Sequence, residues 1–184
     1  MLTKDLSLRM VFLRILKDSL AISLFISFLS LSSKVKLYLP YSPVPITLQT
    51  LVVFLGVAFL REKAVISQII WIILALLGLP LFSQGGGFLY LFSPTWGYIL
   101  GFLVSSLFLL KVLFLRRSVC WYMLCFFSAN IIIYVFGIVG LISTLRISFS
   151  EAFIMGILPF VYGDFLKIIL ASLVSRLVRL RKLE

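Results

Sequence analysis

Apolar residues dominate this chain in six runs, each bounded by charges or by Pro/Gly-rich connections. The runs lie near 15–33, 46–60, 64–80, 97–115, 119–144 and 159–178. Their length and the lack of period-2 alternation predict helices long enough to cross a bilayer. The second, Ile46 to Leu60, is short: about 22 Å at 1.5 Å per residue against a hydrocarbon core of about 30 Å. The preceding Leu37 to Pro45, with three prolines, cannot be a regular helix, and its aromatics suit an interface, so it is expected to fill the outer half there. The expected fold is therefore an all-α integral membrane protein: one transmembrane domain over residues 1–184, a six-transmembrane-helix bundle with structured outer loops.

Composition agrees with the pattern. The chain is 62% hydrophobic and 12% charged, with a mean hydropathy of +1.22, whereas soluble domains are about 45–50% apolar. The net charge of +11 would suggest nucleic acid in a soluble protein. Here the basic residues sit in short clusters between apolar runs, as the positive-inside rule requires, and no nucleic-acid partner is expected. With the N-terminus placed in the cytoplasm, that side holds Lys4, Arg9, Arg14, Lys17, Arg61, Lys63, Lys111, Arg116, Arg117, Arg176, Arg179, Arg181 and Lys182. The other side holds Lys34, Lys36 and Arg146. Both termini are then cytoplasmic, and the connections 34–45, 81–96 and 145–158 face outward.

The chain has no histidine, which removes the usual zinc sites and every Ser-His or Cys-His catalytic pair. Cys120 and Cys125 match no metal or redox spacing. The glycines at 85–87 are not followed by a Lys-Ser/Thr phosphate loop. An intramembrane aspartyl protease needs paired aspartates, and Asp164 is the only acid well inside a run. No enzyme activity, metal or cofactor is expected. No cleavable signal peptide is expected either, because the first run is too long and carries Lys17 and Asp18.

The last run holds the most informative pair. Asp164 and Lys167 are three residues apart, so on a helix both face one side. Each charge costs about 2.5–3.5 kcal/mol at a bilayer centre on the insertion scale. Such a pair is either a polar ligand site or an ion pair between packed helices, and intramembrane charges favour the first. Pro159 puts Asp164 about 7–8 Å into the helix, in the outer half. The Pro-rich and Gly-rich connections converge on the same end, which predicts a small-molecule pocket lidded by loops. Gly85 to Gly87 read equally as an outer turn or as a wall of that pocket. On the fifth run Asn130 and Tyr134 share a face, where an interhelical hydrogen bond is favoured over ligand contact. Ser19, Ser23 and Ser27 make a stripe of small residues on the first run, suited to close approach by a partner helix or by another helix of this chain.

Four motifs in this order resemble the BioY family, the biotin-capturing S components of energy-coupling-factor (ECF) vitamin transporters. They are Pro40-Tyr41-Ser42-Pro43-Val44-Pro45-Ile46-Thr47-Leu48-Gln49-Thr50, Gly78-Leu79-Pro80 with Gly85-Gly86-Gly87, Pro94-Thr95 with Gly97-Tyr98, and Pro159-Phe160 with Gly163-Asp164 and Lys167. Ser93 and Trp96 stand where the family usually has glycine, and Trp96 puts bulk at the expected pocket mouth. The resemblance implies uptake of biotin from an outward-facing pocket in the cytoplasmic membrane. It also implies a transmembrane coupling protein and two cytoplasmic ATPase subunits as partners, with membrane lipid around the bundle.

Asp164 and Lys167 match the family's acid and base, and Thr95 and Tyr98 its Thr and Tyr after the Gly-rich loop. Trp96, Gln84, Gly86, Tyr41, Thr47, Gln49 and Asn130 complete the expected substrate-binding set, with Phe160 as a further aromatic wall. Ser19, Ser23 and Ser27 stand where S components often carry docking alanines. Biotin offers an apolar bicycle, a ureido group with two N–H donors and one C=O acceptor, and a carboxylate tail. Whether Asp164 and Lys167 meet the ureido group or the tail stays open at this stage. So do a different vitamin as substrate and a solitary carrier without ATPases.

Overall fold

A computed structural model describes residues 2–181, with side chains from residue 9 to residue 178. The side chains of Lys4, Arg179 and Arg181, and all of Lys182, counted above in the charge bias, lie outside the described residues. Seven α-helices and one short hairpin make up the described fold: α1 (Leu2–Lys34), β1 (Lys36–Leu39), β2 (Ser42–Thr47), α2 (Gln49–Leu60), α3 (Glu62–Leu76), α4 (Trp96–Val112), α5 (Val119–Leu145), α6 (Phe149–Gly156) and α7 (Val161–Arg181). A 3₁₀ turn, Phe88–Phe92, sits in the connection between α3 and α4.

Two departures from the sequence reading are a hairpin and an extra helix. The Pro-rich stretch pairs as an antiparallel hairpin with Leu37 opposite Ile46 and Leu39 opposite Ser42. Pro43 and Pro45 are tolerated in β2 because a two-stranded ribbon consists of edge strands, which leave N–H positions unused. The connection 145–158 contains α6, started by a capping box in which Ser148 and Glu151 satisfy each other's backbone N–H groups. After Pro159 the chain bends by 53° into α7.

Other ends follow local chemistry. The α2–α3 break is a single residue, Arg61, at φ 55°. Helix α3 stops at Leu76, short of the expected residue 80, because Gly78 turns at φ 113° and Pro80 cannot continue a helix. Serines inside the apolar helices return their hydroxyls to the preceding turn, as Ser30 does to Ile26 at 2.8 Å and Ser172 to Ile168 at 2.7 Å.

Packing fixes which face each helix buries. Phe54 of α2 stacks on Phe126 of α5 with ring centroids 4.9 Å apart. Gln68 of α3 donates to Ser106 of α4 at 2.7 Å, a buried interhelical bond that the sequence reading missed. Helices α4 and α5 approach closely at Gly97 and Gly140: a Cβ on Gly97 would lie 2.9 Å from the Gly140 Cα. Large apolar side chains remain on outward faces, including Phe12, Phe28, Ile131 and Leu166. A surface of this kind suits hydrocarbon rather than water. Among the described residues one helix, Val119–Leu145, is by itself long and apolar enough to cross a membrane, and the bent pair α6–α7 qualifies as a second candidate.

The connections gather at one end. Lys34 donates to the Phe82 carbonyl at 2.7 Å, Lys36 to the Ser83 carbonyl at 2.8 Å, and Ser42 to the Met155 carbonyl at 2.8 Å. The opposite end carries an Asp18–Lys63 ion pair, Arg61 over the Phe114 ring, and Arg176 donating to the Arg117 carbonyl.

Candidate substrate-binding site

The site is built where α7 starts. Asp164 lies in the first turn of α7, where the helix dipole favours a carboxylate, and its backbone N–H donates to the Phe160 carbonyl at 2.8 Å. One turn on, Lys167 donates to Asp164 Oδ1 at 2.7 Å and to the Thr47 carbonyl, at the end of β2, at 2.8 Å. Tyr134 of α5 donates to Asp164 Oδ2 at 2.8 Å. The pair is buried, Asp164 at 4% and Lys167 at 8% exposure. Desolvating two charges costs more than most buried pairs return, so stability alone is a poor reason to keep them there.

These groups line a cavity of about 50 Å³ together with Thr47, Gln49, Thr50, Ser83, Tyr90, Thr95, Tyr98 and Tyr134. Val44, Pro45, Ile99, Phe102, Ile133 and Phe160 supply apolar wall. Free polar capacity is concentrated beside the ion pair. Lys167 spends two of its three N–H donors, and the Gln49 amide nitrogen, buried in the wall, has no hydrogen-bond partner among the described residues. Each Asp164 oxygen accepts one bond and keeps a further lone pair. Two donors and an acceptor therefore converge on one small space.

Of the residues expected at the site, Asp164, Lys167, Tyr98, Thr95, Thr47 and Gln49 line the cavity. Tyr98 spends its hydroxyl on the Gly156 carbonyl at 2.7 Å, so it offers a ring face rather than a donor. Five others do not line it. Tyr41 is at the hairpin tip, 58% exposed. Trp96 turns away from the mouth and meets the Phe82 ring edge-on at 6.5 Å. Gln84 is exposed and reaches only the Pro43 carbonyl, at 3.4 Å. Gly86 is pressed against the end of α3, where a Cβ would come 2.0 Å from the Leu79 carbonyl oxygen. That contact by itself accounts for its lack of a side chain.

Asn130 is buried on α5, and its Oδ1 finds no hydrogen-bond partner among the described residues. The interhelical bond from that face comes instead from Tyr134. The sequence reading missed Ser83, Tyr90 and Thr50. Serine and threonine in an apolar chain carry no periodic signal, and only the fold of the 77–95 connection turns Ser83 and Tyr90 inward. The stripe of Ser19, Ser23 and Ser27 faces outward and is exposed, so it does not pack inside this chain.

The crystal structure of the S-component for biotin from an ECF-type ABC transporter has the same fold: TM-score 0.79 at 24% identity, over 92% of this chain and 93% of that one. The BioY family model matches residues 3–183, and this chain belongs to the BioY family. It is 32% identical to the biotin transporter BioY of Thermotoga maritima over 148 residues, 79% of this chain and 86% of that protein. It is 32% identical to the biotin transporter BioY of Rhizobium etli over 151 residues, 76% of this chain and 80% of that one. The probable biotin transporter BioY of Pyrococcus horikoshii is 30% identical over 161 residues, 86% of this chain and 94% of that protein.

Proposed function

We propose that this chain takes up biotin as the substrate-binding S component of an ECF-type transporter. In this reading it is a transport protein rather than an enzyme, and its relatives are named as biotin transporters. The observation that carries the reading to this chain is the buried Asp164–Lys167 pair with unspent donors on Lys167 and Gln49. A ureido group needs acceptors for its N–H bonds and donors for its carbonyl, and this arrangement supplies both. The test is equilibrium binding of labelled biotin to the purified protein, with mass spectrometry of what it retains. Saturable, stoichiometric biotin binding is expected. Retention of a different small vitamin, with biotin unable to displace it, would overturn the assignment.

In this reading the chain is a single transmembrane unit of six spans, α6 lying at the outer surface, with both termini cytoplasmic. A transmembrane coupling protein and two ATPase subunits drive release inward, and they should co-purify with the chain. A solitary carrier would come away alone. The topology has its own check. With Cys120 replaced by serine, Phe88→Cys is expected to react with an impermeant maleimide from outside intact cells and Arg116→Cys only after permeabilisation. The reverse pattern would invert the orientation and close the cavity to external substrate.

A further inference from the structure

The cavity has a second polar pole, made of hydroxyls, that shares no hydrogen bond with the ion pair. Ser83, Tyr90 and Thr95 are buried at 5–7% exposure, and all three line the cavity. Thr95 donates to the Tyr90 hydroxyl at 2.7 Å. That spends the only Thr95 proton, so in the 3.1 Å contact between Ser93 and Thr95 the serine is the donor. The Tyr90 hydroxyl then meets Ser83 Oγ at 3.2 Å. Four hydroxyls joined by three bonds leave one O–H proton unspent, at the Ser83–Tyr90 end. A chain of donors running one way strengthens its terminal donor. Lys34 and Lys36 hold the carbonyls of Phe82 and Ser83, which puts two ammonium groups at the backbone behind that end.

We infer that Ser83 and Tyr90 form the subsite for the ligand's anionic carboxylate, leaving Asp164, Lys167 and Gln49 to the neutral hydrogen-bonding head. This rests on the biotin reading above and settles the ligand's direction within it. A carboxylate only accepts hydrogen bonds, so it matches a terminal donor backed by cations. A ureido N–H needs the acceptor that Asp164 provides at the other pole. Tyr90 and Ser83 thereby select for a ligand with an anionic tail.

The experiment compares biotin with an analogue whose tail ends in a methyl group, titrated into the wild type, Tyr90→Phe and Ser83→Ala. Tyr90→Phe keeps the ring that packs on Phe82 at 4.4 Å, and Ser83→Ala is a second, smaller change should the first disturb folding. A hydrogen bond to a charged group is worth roughly tenfold to a hundredfold in affinity. Each variant is expected to lose about that factor for biotin and less than about threefold for the methyl-tailed analogue. Equal losses for both ligands would make the hydroxyls scaffold, and undiminished biotin affinity in both variants would place the tail elsewhere. Either result overturns the subsite while leaving biotin binding intact. A wild type that binds no biotin would overturn the underlying reading, and the subsite with it.

Discussion

Lys167→Ala is expected to weaken biotin binding by roughly tenfold to a few thousandfold. The ammonium is 8% exposed and bridges Asp164 on α7 to the Thr47 carbonyl at the base of the hairpin. In the proposed site, truncation would remove a donor to the ligand and leave a buried carboxylate whose one remaining side-chain hydrogen-bond partner among the described residues is Tyr134. Removing one member of such a pair costs about 2–5 kcal/mol, and each 1.4 kcal/mol is about tenfold in affinity. Asp164→Asn is expected to weaken binding as well. The amide is nearly isosteric but carries no charge, and turning its oxygen toward Lys167 leaves an NH₂ facing the Tyr134 hydroxyl. Calorimetric titration of both variants measures the loss, with thermal unfolding run alongside to separate binding from folding. With the carboxylate held by Ser83 and Tyr90, Lys167→Ala should hurt biotin and its methyl-tailed analogue alike. Wild-type affinity in both variants would make the ion pair structural and move the site elsewhere.

The second large effect concerns assembly rather than capture. Ser23→Trp should abolish most uptake in cells while biotin affinity of the isolated protein stays near that of the wild type. Ser19, Ser23 and Ser27 lie on an exposed face of α1, and Ser27 already returns its hydroxyl to the Ser23 carbonyl at 3.0 Å. Small residues at this spacing let a neighbouring helix in the membrane approach closely. An indole at the middle position holds the partner off by several ångströms. Parallel measurement of uptake and of binding distinguishes the cases. A matching loss of binding would mean that the substitution distorts the bundle itself.

Most of the architecture was legible because it is written in long apolar runs. The expected fifth run, 119–144, is α5 to within a residue, and the second and fourth start within a few residues of α2 and α4. The charged pair was legible for the complementary reason: two ions in an apolar run are costly wherever they point. The hairpin was read only as non-helical, because three prolines exclude a helix without specifying a partner strand. Helix α6 is eight residues long, with a start signal in Ser148 and Glu151 but too few apolar turns to stand out.

Site residues on connections fared worst. Trp96, Gln84 and Tyr41 were chosen for their chemistry near the right motifs, yet a side chain's direction in a loop depends on contacts with no sequence period. Trp96 follows Phe82, whereas Ser83 and Tyr90, a few residues away, face the cavity.

The cavity's size bears on how fast and how tightly a ligand is taken. At about 50 Å³ it is well below the roughly 300 Å³ at which sites for drug-sized molecules begin. A bicyclic ligand with a five-carbon acid tail needs more room than this, and the side-chain bonds that tie the hairpin down among the described residues are few: Lys167 to Thr47, Ser42 to Met155, Lys36 to Ser83 and Gln84 to Pro43. Where entry requires the hairpin to rise, the apparent dissociation constant is the intrinsic one divided by the fraction of molecules in the raised state. Raising that fraction from about one in a hundred to nearly all would tighten binding about a hundredfold without a new contact to the ligand. Bonds remote from the ligand would then set a conformational cost on its capture.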